Sequence, residues 1–325
     1  MKRQVKVTPE SWPLNAVFNI SRGAKKVADV VVVGITEGDI TGYGECVPYP
    51  RYGESQGQVI EAILSVSQKV EEGISREELQ ALLPAGAARN ALDCALWQVE
   101  AKRQNKSLAE LFGLKQFRPV RTAQTVSLDS SENMGEAAKR LGEGLLKVKL
   151  GPNDISESVM AVRRAAPKAT LILDANEAWT MEQLVENMPA LIEAEVKLIE
   201  QPLPQGADGA LADFKSPIPI CADESCHASD TLTEVSKLYD AINIKLDKTG
   251  GLTEALKLRR EAEALGMEIF LGCMICTSLS ILPVFALTEG VEFIDIDGPL
   301  WLKKDRSGGC KFDGIRMSPP TQLIV

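Results

Sequence analysis

The chain has 325 residues, 45% of them hydrophobic and 25% charged, an ordinary composition for a folded protein with a sizeable core and about two domains. Its 36 Lys and Arg residues stand against 45 Asp and Glu, a net charge of -9 with no long basic stripe, which argues against nucleic acid or an anionic membrane as a partner. No uncharged apolar run reaches membrane-spanning length and the opening MKRQVKVTPESWPL lacks the apolar core of a signal peptide, so the expected location is cytoplasmic.

The first 115 or so residues mix short strands, such as VADVVVVGITE (27–37), with Gly- and Pro-rich loops and helices such as ARNALDCALWQVEAKRQ (88–104), the texture of an α+β unit. From about residue 120 the pattern becomes periodic. Strand-like runs stand at 122–128, 145–150, 170–176, 196–202, 218–225, 241–246, 267–273 and 291–297, and amphipathic helical stretches are expected between them. Eight strands alternating with helices predict an α/β fold of the (β/α)8 barrel type. Polar residues near the strand ends (Lys149, Asp174, Glu200, Asp223, Lys245, Gly272, Asp295) recur about every 25 residues, a period that suits a closed barrel.

Seven scattered cysteines suit a reducing compartment better than a disulfide framework. Cys273 and Cys276 form one C-x-x-C without a second pair, and are read as small thiols at a strand end. The single histidine, His227, cannot build a His-rich metal site and is read as structural. Acid–base chemistry must therefore rest on carboxylates and lysines.

The run LLKVKL (145–150) places Lys147 and Lys149 on one face of a strand and Leu146, Val148 and Leu150 on the other. A barrel strand has no solvated face, so these charges must belong to the mouth, where active sites of the fold lie. Asp174, Glu200 and Asp223 end three successive strands. Their mutual repulsion calls for a cation, and hard oxygen donors with open positions suit Mg2+, with Mn2+ as a substitute. Asn176, two residues beyond Asp174 on the same face, is expected to bond a ligand carboxylate or to cap the following helix. Lys149 and Lys245 come from the strands on either side of the triplet. Two bases flanking a chelated carboxylate can remove a proton from one face of its α-carbon and return one on the other through an enediolate, with Lys147 favouring the basic form of Lys149 and helping to neutralise the enolate.

The ordered set KVK, DAN, EQP, ADES and NIKLDKTGG resembles the enolase superfamily in its muconate-lactonizing-enzyme subgroup. GECVPYPRYGES (44–55) and PAGAARNALDCALW (84–97) resemble its capping domain, and DIDGP (295–299) its last barrel strand; together they resemble the L-Ala-D/L-Glu epimerases closely. The resemblance implies a (β/α)7β barrel with an α+β capping domain, partitioned as residues 1–117, 118–297 and a C-terminal segment 298–325 that returns to the cap. It implies Mg2+ on Asp174, Glu200 and Asp223, and Lys149 and Lys245 as the acid/base pair. It also implies that Asp295 and Asp297 hold the ammonium of a dipeptide and that Thr122 contacts the substrate. Arg22, in NISRGAKK (19–26), is expected to pair with the glutamate side chain.

The function expected is a Mg2+-dependent epimerase that interconverts L-Ala-D-Glu and L-Ala-L-Glu in murein peptide recycling of the cell wall, with self-association left open. A different dipeptide, muconate cycloisomerisation and o-succinylbenzoate synthesis use the same groups. A metal-free Schiff-base lyase is the reading from another class, and a non-enzymatic binding barrel leaves the opposed lysines unexplained.

Overall fold

The structure is a computed structural model that describes residues 2–20 and 23–325. The chain opens with an antiparallel meander of β1 (Arg3–Ile20), β2 (Gly23–Glu37) and β3 (Ile40–Cys46), with a register shift in β1 between Pro13 and Phe18. The unbroken valine run of β2 reflects burial on both faces. Val31, Val33 and Ile35 pack against α1 (Gln56–Glu72) and α3 (Ala87–Arg103), whereas Val30 and Val32 join the core shared with the barrel. Between those helices lies α2 (Arg76–Leu82), whose Ser75 and Glu78 cap its start reciprocally. Helix α3 lies so close on β3 that a Cβ on Gly44 would stand 2.0 Å from the Ala91 carbonyl oxygen, and one on Gly42 2.3 Å from that of Ala95. Glycine is therefore required at both positions.

Eight parallel strands follow: β5 (Gln124–Val126), β6 (Leu145–Lys149), β7 (Thr170–Asp174), β8 (Val196–Glu200), β9 (Ile220–Ala222), β10 (Ala241–Ile244), β11 (Glu268–Gly272) and β12 (Phe293–Asp295), each paired with its neighbour in chain order. They are preceded by the short β4 (Val120–Arg121). The Ala123 N–H donates to the Ile294 carbonyl at 2.7 Å across the seam between β5 and β12, so the sheet curls into a barrel. Helices of eleven residues or more follow only β5, β6, β7 and β10, at Ser131–Leu141, Ile155–Ala165, Met181–Glu193 and Leu252–Ala264. The expectation of a helical stretch after every strand is corrected at β8, where the link carries only the 3-10 turn Gly209–Asp213. Short helical turns serve after β9 and β11. No helix among the described residues is long and apolar enough to cross a membrane.

Helix α3 ties the first sheet to the barrel. Asp93 accepts from the Thr253 N–H at 2.9 Å, Trp97 Nε1 donates to Thr253 Oγ1 at 3.0 Å, and Arg89 donates to the Thr249 carbonyl at 2.7 Å. Beyond the barrel the chain runs along β1, with Leu302 bridging Leu14 and the Lys303 N–H donating to the Pro13 carbonyl. Arg306 then inserts between Glu10 and the buried Glu45. The last strands, β13 (Lys311–Asp313) and β14 (Arg316–Ser318), form a hairpin that pairs with β4 at the N-terminal end of the barrel.

Candidate active site

Strand parity builds the site. A ring of apolar side chains, Ala123, Leu145, Ile172, Leu198, Cys221, Ala241, Phe270 and Phe293, fills the barrel interior, one from each strand or the residue beside it. Two residues further along each strand, on the same face, stand Thr125, Lys147, Asp174, Glu200, Asp223, Asn243, Gly272 and Asp295. Two residues further again come Lys149, Asn176, Lys245 and Asp297, which line a cavity at the C-terminal ends of the strands. The first sheet and its loops roof this cavity with Phe18, Lys25, Tyr49 and Tyr52.

Lys147 lies at the centre. Its ammonium is 2.6 Å from Glu200 Oε2, 2.9 Å from Asp295 Oδ2 and 3.1 Å from Asp174 Oδ2. Lys149 donates to Asp174 Oδ2 at 2.5 Å and to Asn176 Oδ1 at 3.2 Å, and Lys245 donates to Asp223 Oδ2 at 2.5 Å. Each of the three strand-end carboxylates is held from behind through its other oxygen. Asp174 Oδ1 accepts from the Asn176 N–H at 2.9 Å, Glu200 Oε1 from Asn243 Nδ2 at 2.7 Å and Asp223 Oδ1 from Lys248 Nζ at 2.7 Å.

The charges perturb one another strongly. Burial disfavours a charged Lys147, yet Asp295, Glu200, Asp174 and Asp223 outweigh it and hold the ammonium well above its ordinary range. Burial also works against Asp174 and Asp223, but Lys149 and Lys147 around the first, and Lys245 and Lys248 around the second, keep both below the ordinary carboxylate range. Glu200 differs. Burial and then repulsion from Asp174 push it up to about 8, because Lys147 is shared among three carboxylates. Lys245 is raised above the lysine range, its burial outweighed by Asp223 and Glu200.

The opposite wall carries the acidic pair. Asp297 Oδ2 accepts from Thr125 N and Oγ1 and from Trp301 Nε1, and burial together with Asp295 pushes it up to about 7. Asp295 Oδ1 is buried without a hydrogen-bond partner among the described residues. Such an orphaned acceptor marks a place for a donor.

Most residues singled out in the sequence meet here: Lys147, Lys149, Asn176, Asp223, Lys245, Asp295 and Asp297 line the cavity, with Asp174 and Glu200 bonded to its lysines. Thr122 is not among the lining residues. It is wholly buried on the opposite parity, its Oγ1 accepting from the Ile296 N–H at the barrel seam. Thr125, paired with Lys147 across β5 and β6, stands in the cavity wall instead. Arg22 lies outside the described residues. His227 does not line the cavity; its ring meets Tyr52 edge-on at 4.4 Å, and burial followed by Lys248 lowers its pKa. All seven cysteines are free thiols, and Cys273 reaches the cavity wall.

Sequence reasoning passed over Thr125, Lys248, Asn243 and the roof residues, among them Lys25, whose ammonium sits 4.7 Å from the Tyr49 ring centre. Parity could have found the first and third. Nothing local marks the rest.

As placed, no three His, Cys, Asp or Glu side chains among the described residues are grouped closely enough to hold a metal ion, because lysine ammonium groups stand between the carboxylates. The donor set nevertheless fits a hard divalent cation. Asp174, Glu200 and Asp223 each keep one oxygen fixed by protein and turn the other toward an exchangeable ammonium.

Comparisons with known proteins agree with this geometry. Residues 2–113 match the mandelate racemase / muconate lactonizing enzyme N-terminal domain family, and residues 129–322 match the enolase C-terminal domain-like family. The chain is 51% identical over 313 residues to the L-Ala-D/L-Glu epimerase of Escherichia coli, covering 95% of this chain and 98% of that one. A solved enolase family member from Agrobacterium tumefaciens, described as having homology to dipeptide epimerases and holding sodium and L-Ala-L-Glu, superposes with a TM-score of 0.94 at 45% identity over 98% of both chains. The dipeptide epimerase of Cytophaga hutchinsonii, solved with Mg and D-Ala-L-Val, gives a TM-score of 0.91 at 27% identity over 99% of this chain and 95% of that one. With both domain families matched in order around one lysine- and carboxylate-lined barrel mouth, the chain belongs to the enolase superfamily, in its mandelate racemase / muconate lactonizing enzyme branch.

Proposed function

We propose that this chain is a dipeptide epimerase that interconverts L-Ala-D-Glu and L-Ala-L-Glu, acting in murein peptide recycling. One observation carries the reading. Lys149 ends β6 and Lys245 follows β10, four strands apart in an eight-strand ring, so their ammonium groups reach one cavity from opposite sides. A single base would serve exchange or elimination, whereas two opposed bases serve inversion at carbon.

Asp174, Glu200 and Asp223 are the residues that would hold Mg2+, with Mn2+ as a substitute, through the oxygens now turned to Lys149, Lys147 and Lys245. When bound, the cation supplies positive charge against the charge that a substrate carboxylate gains as its α-carbon is deprotonated. Lys149 and Lys245 then exchange roles, one taking the α-proton and the other delivering a proton to the opposite face. Lys147, whose ammonium lines the cavity and is held well above its ordinary range, keeps a positive charge near the carbon that loses its proton. Asp295 and Asp297 receive the dipeptide ammonium, which supplies the donor that Asp295 Oδ1 lacks. Thr125, rather than Thr122, is assigned to the substrate side of this wall. Lys25 in the roof provides a cation for the glutamate side chain, a role expected also of Arg22.

The test is direct. Protein stripped with EDTA should lose epimerisation of L-Ala-L-Glu, followed by α-proton exchange in deuterated water by NMR, and added Mg2+ should restore it. Full activity in EDTA would remove the metal from the reading, and borohydride trapping of a substrate adduct would replace it with Schiff-base chemistry.

A further inference from the structure

The three strand-end carboxylates are held from behind by unlike groups. Asp174 and Glu200 receive neutral donors, the Asn176 N–H and Asn243 Nδ2, whereas Asp223 receives the ammonium of Lys248. Lys248 sits in the helical turn Leu246–Thr249, three residues beyond Lys245, and is 1% exposed. Its three N–H bonds are all used: Asp223 Oδ1 at 2.7 Å, the Asp223 carbonyl at 2.5 Å and the Asn243 carbonyl at 2.8 Å. It does not line the cavity and contacts none of the other cavity carboxylates by ion pair.

We infer that Lys248 is a positioning residue that fixes Asp223 to bind the divalent cation through Oδ2 alone, an inference that rests on the metal reading above. Two of its bonds go to main-chain carbonyls of the strand ends that carry Asp223 and Asn243, so the ammonium is anchored independently of the carboxylate it orients. A carboxylate free to rotate would chelate an ion through both oxygens or swing toward Lys245. With Oδ1 engaged by the buried Lys248, Oδ2 is the oxygen that meets the cavity lysine Lys245, at 2.5 Å. Lys245 must release that oxygen when an ion takes it. Lys248 stays behind as the lasting countercharge of Asp223, leaving Lys245 free for proton transfer.

The experiment measures Mn2+ binding to substrate-free protein by electron paramagnetic resonance, well below the melting temperature of each variant. Lys248→Met should weaken Mn2+ by about 10- to 100-fold, the range typical when the partner of a metal ligand is removed. Lys248→Gln, which keeps an amide donor, serves if the methionine variant does not fold. Equal or tighter Mn2+ binding in a folded variant overturns the inference, and no purely structural role for Lys248 would weaken Mn2+ selectively in a folded protein. A structure of the wild-type protein with Mn2+ decides the same question without any variant. An ion on Asp223 Oδ2 with Lys248 still on Oδ1 supports it, and bidentate chelation with Lys248 displaced overturns it. Wild-type protein that binds no Mn2+ would instead overturn the metal reading itself.

Discussion

The lower and upper halves of the barrel interior are made by the same strands, on the same face, two residues apart, and share almost no chemistry. Below, Leu145, Ile172, Leu198, Phe270 and their neighbours are buried and apolar; above, Lys147, Asp174, Glu200 and Asp223 are equally buried and ionisable. An apolar ring stabilises by the area it removes from water and tolerates no charge. A charged ring is tolerated only because each carboxylate meets an ammonium, and that pairing leaves exchangeable contacts at the mouth. Stability and reactivity are thus separated by one step of the strand repeat.

The strongest challenge to that division is at the mouth. Lys149→Ala and Lys245→Ala should each lower epimerisation by at least about 1000-fold while leaving a folded protein, since general acid–base groups contribute on this scale. Each variant should retain slow α-proton exchange on only one epimer, the two variants favouring opposite epimers by NMR in deuterated water. Near wild-type epimerisation in either would remove that lysine from the reaction. One step below, Leu198→Ala should do the reverse. It should cost about 2–5 kcal/mol in chemical denaturation, the range for a buried leucine, with kcat changed by less than its stability implies. A variant with intact stability and lost turnover would erase the distinction between the rings.

A third test sharpens the upper ring. Asp295→Asn should raise KM for L-Ala-L-Glu by about 10-fold or more, as loss of a charged hydrogen-bond partner does, and should harm the N-acetylated dipeptide less because it carries no ammonium. Equal losses on both would move Asp295 from substrate binding to support of Lys147.

The smallest effect concerns a buried acid with no cation. Asp247 accepts from the Val47 N–H and Asn90 Nδ2, both neutral, and burial pushes it up to about 7, opposite in direction to Asp174 and Asp223. A folded-state pKa above the unfolded value of about 3.9 means that the folded protein binds the extra proton, so this group costs stability progressively as pH rises from about 4 to about 7. Asp247→Asn should therefore gain on wild type between pH 5 and pH 8 by at least about 1 kcal/mol in urea unfolding. No pH dependence in the difference would show that neutral donors suffice for a buried carboxylate here.

Much of this is legible in the sequence. The period of about 25 residues announced the barrel, and the strand-end parity of Lys147, Lys149, Asp174, Glu200, Asp223 and Lys245 announced a charged mouth, because strand alternation is a property of the backbone itself. The helical stretch expected after β8 is only a 3-10 turn and those after β9 and β11 are short, since apolar periodicity in a linker does not specify how long a helix it closes.

What the sequence left open was decided by register and by distance along the chain. Strand parity puts Thr122 and Thr125 on opposite faces, and the pairing of Thr125 with Lys147 and the seam bond of Thr122 with Ile296 decide which of them faces inward. Lys248 reads as one more charge on a short helical turn until the fold brings two strand ends together around its ammonium. The packing around Asp295 leaves its Oδ1 without a hydrogen-bond partner among the described residues, and Lys25 meets the cavity only because the fold brings β2 to the barrel mouth. Residue type and spacing set which groups the chain can offer, through backbone geometry that acts over a few residues. Which groups meet, and which stay unsatisfied, depends on contacts between strands and their following turns, from Lys149 with Asp174 on the neighbouring strand to Thr122 with Ile296 across the seam, and those exist only once the barrel has closed.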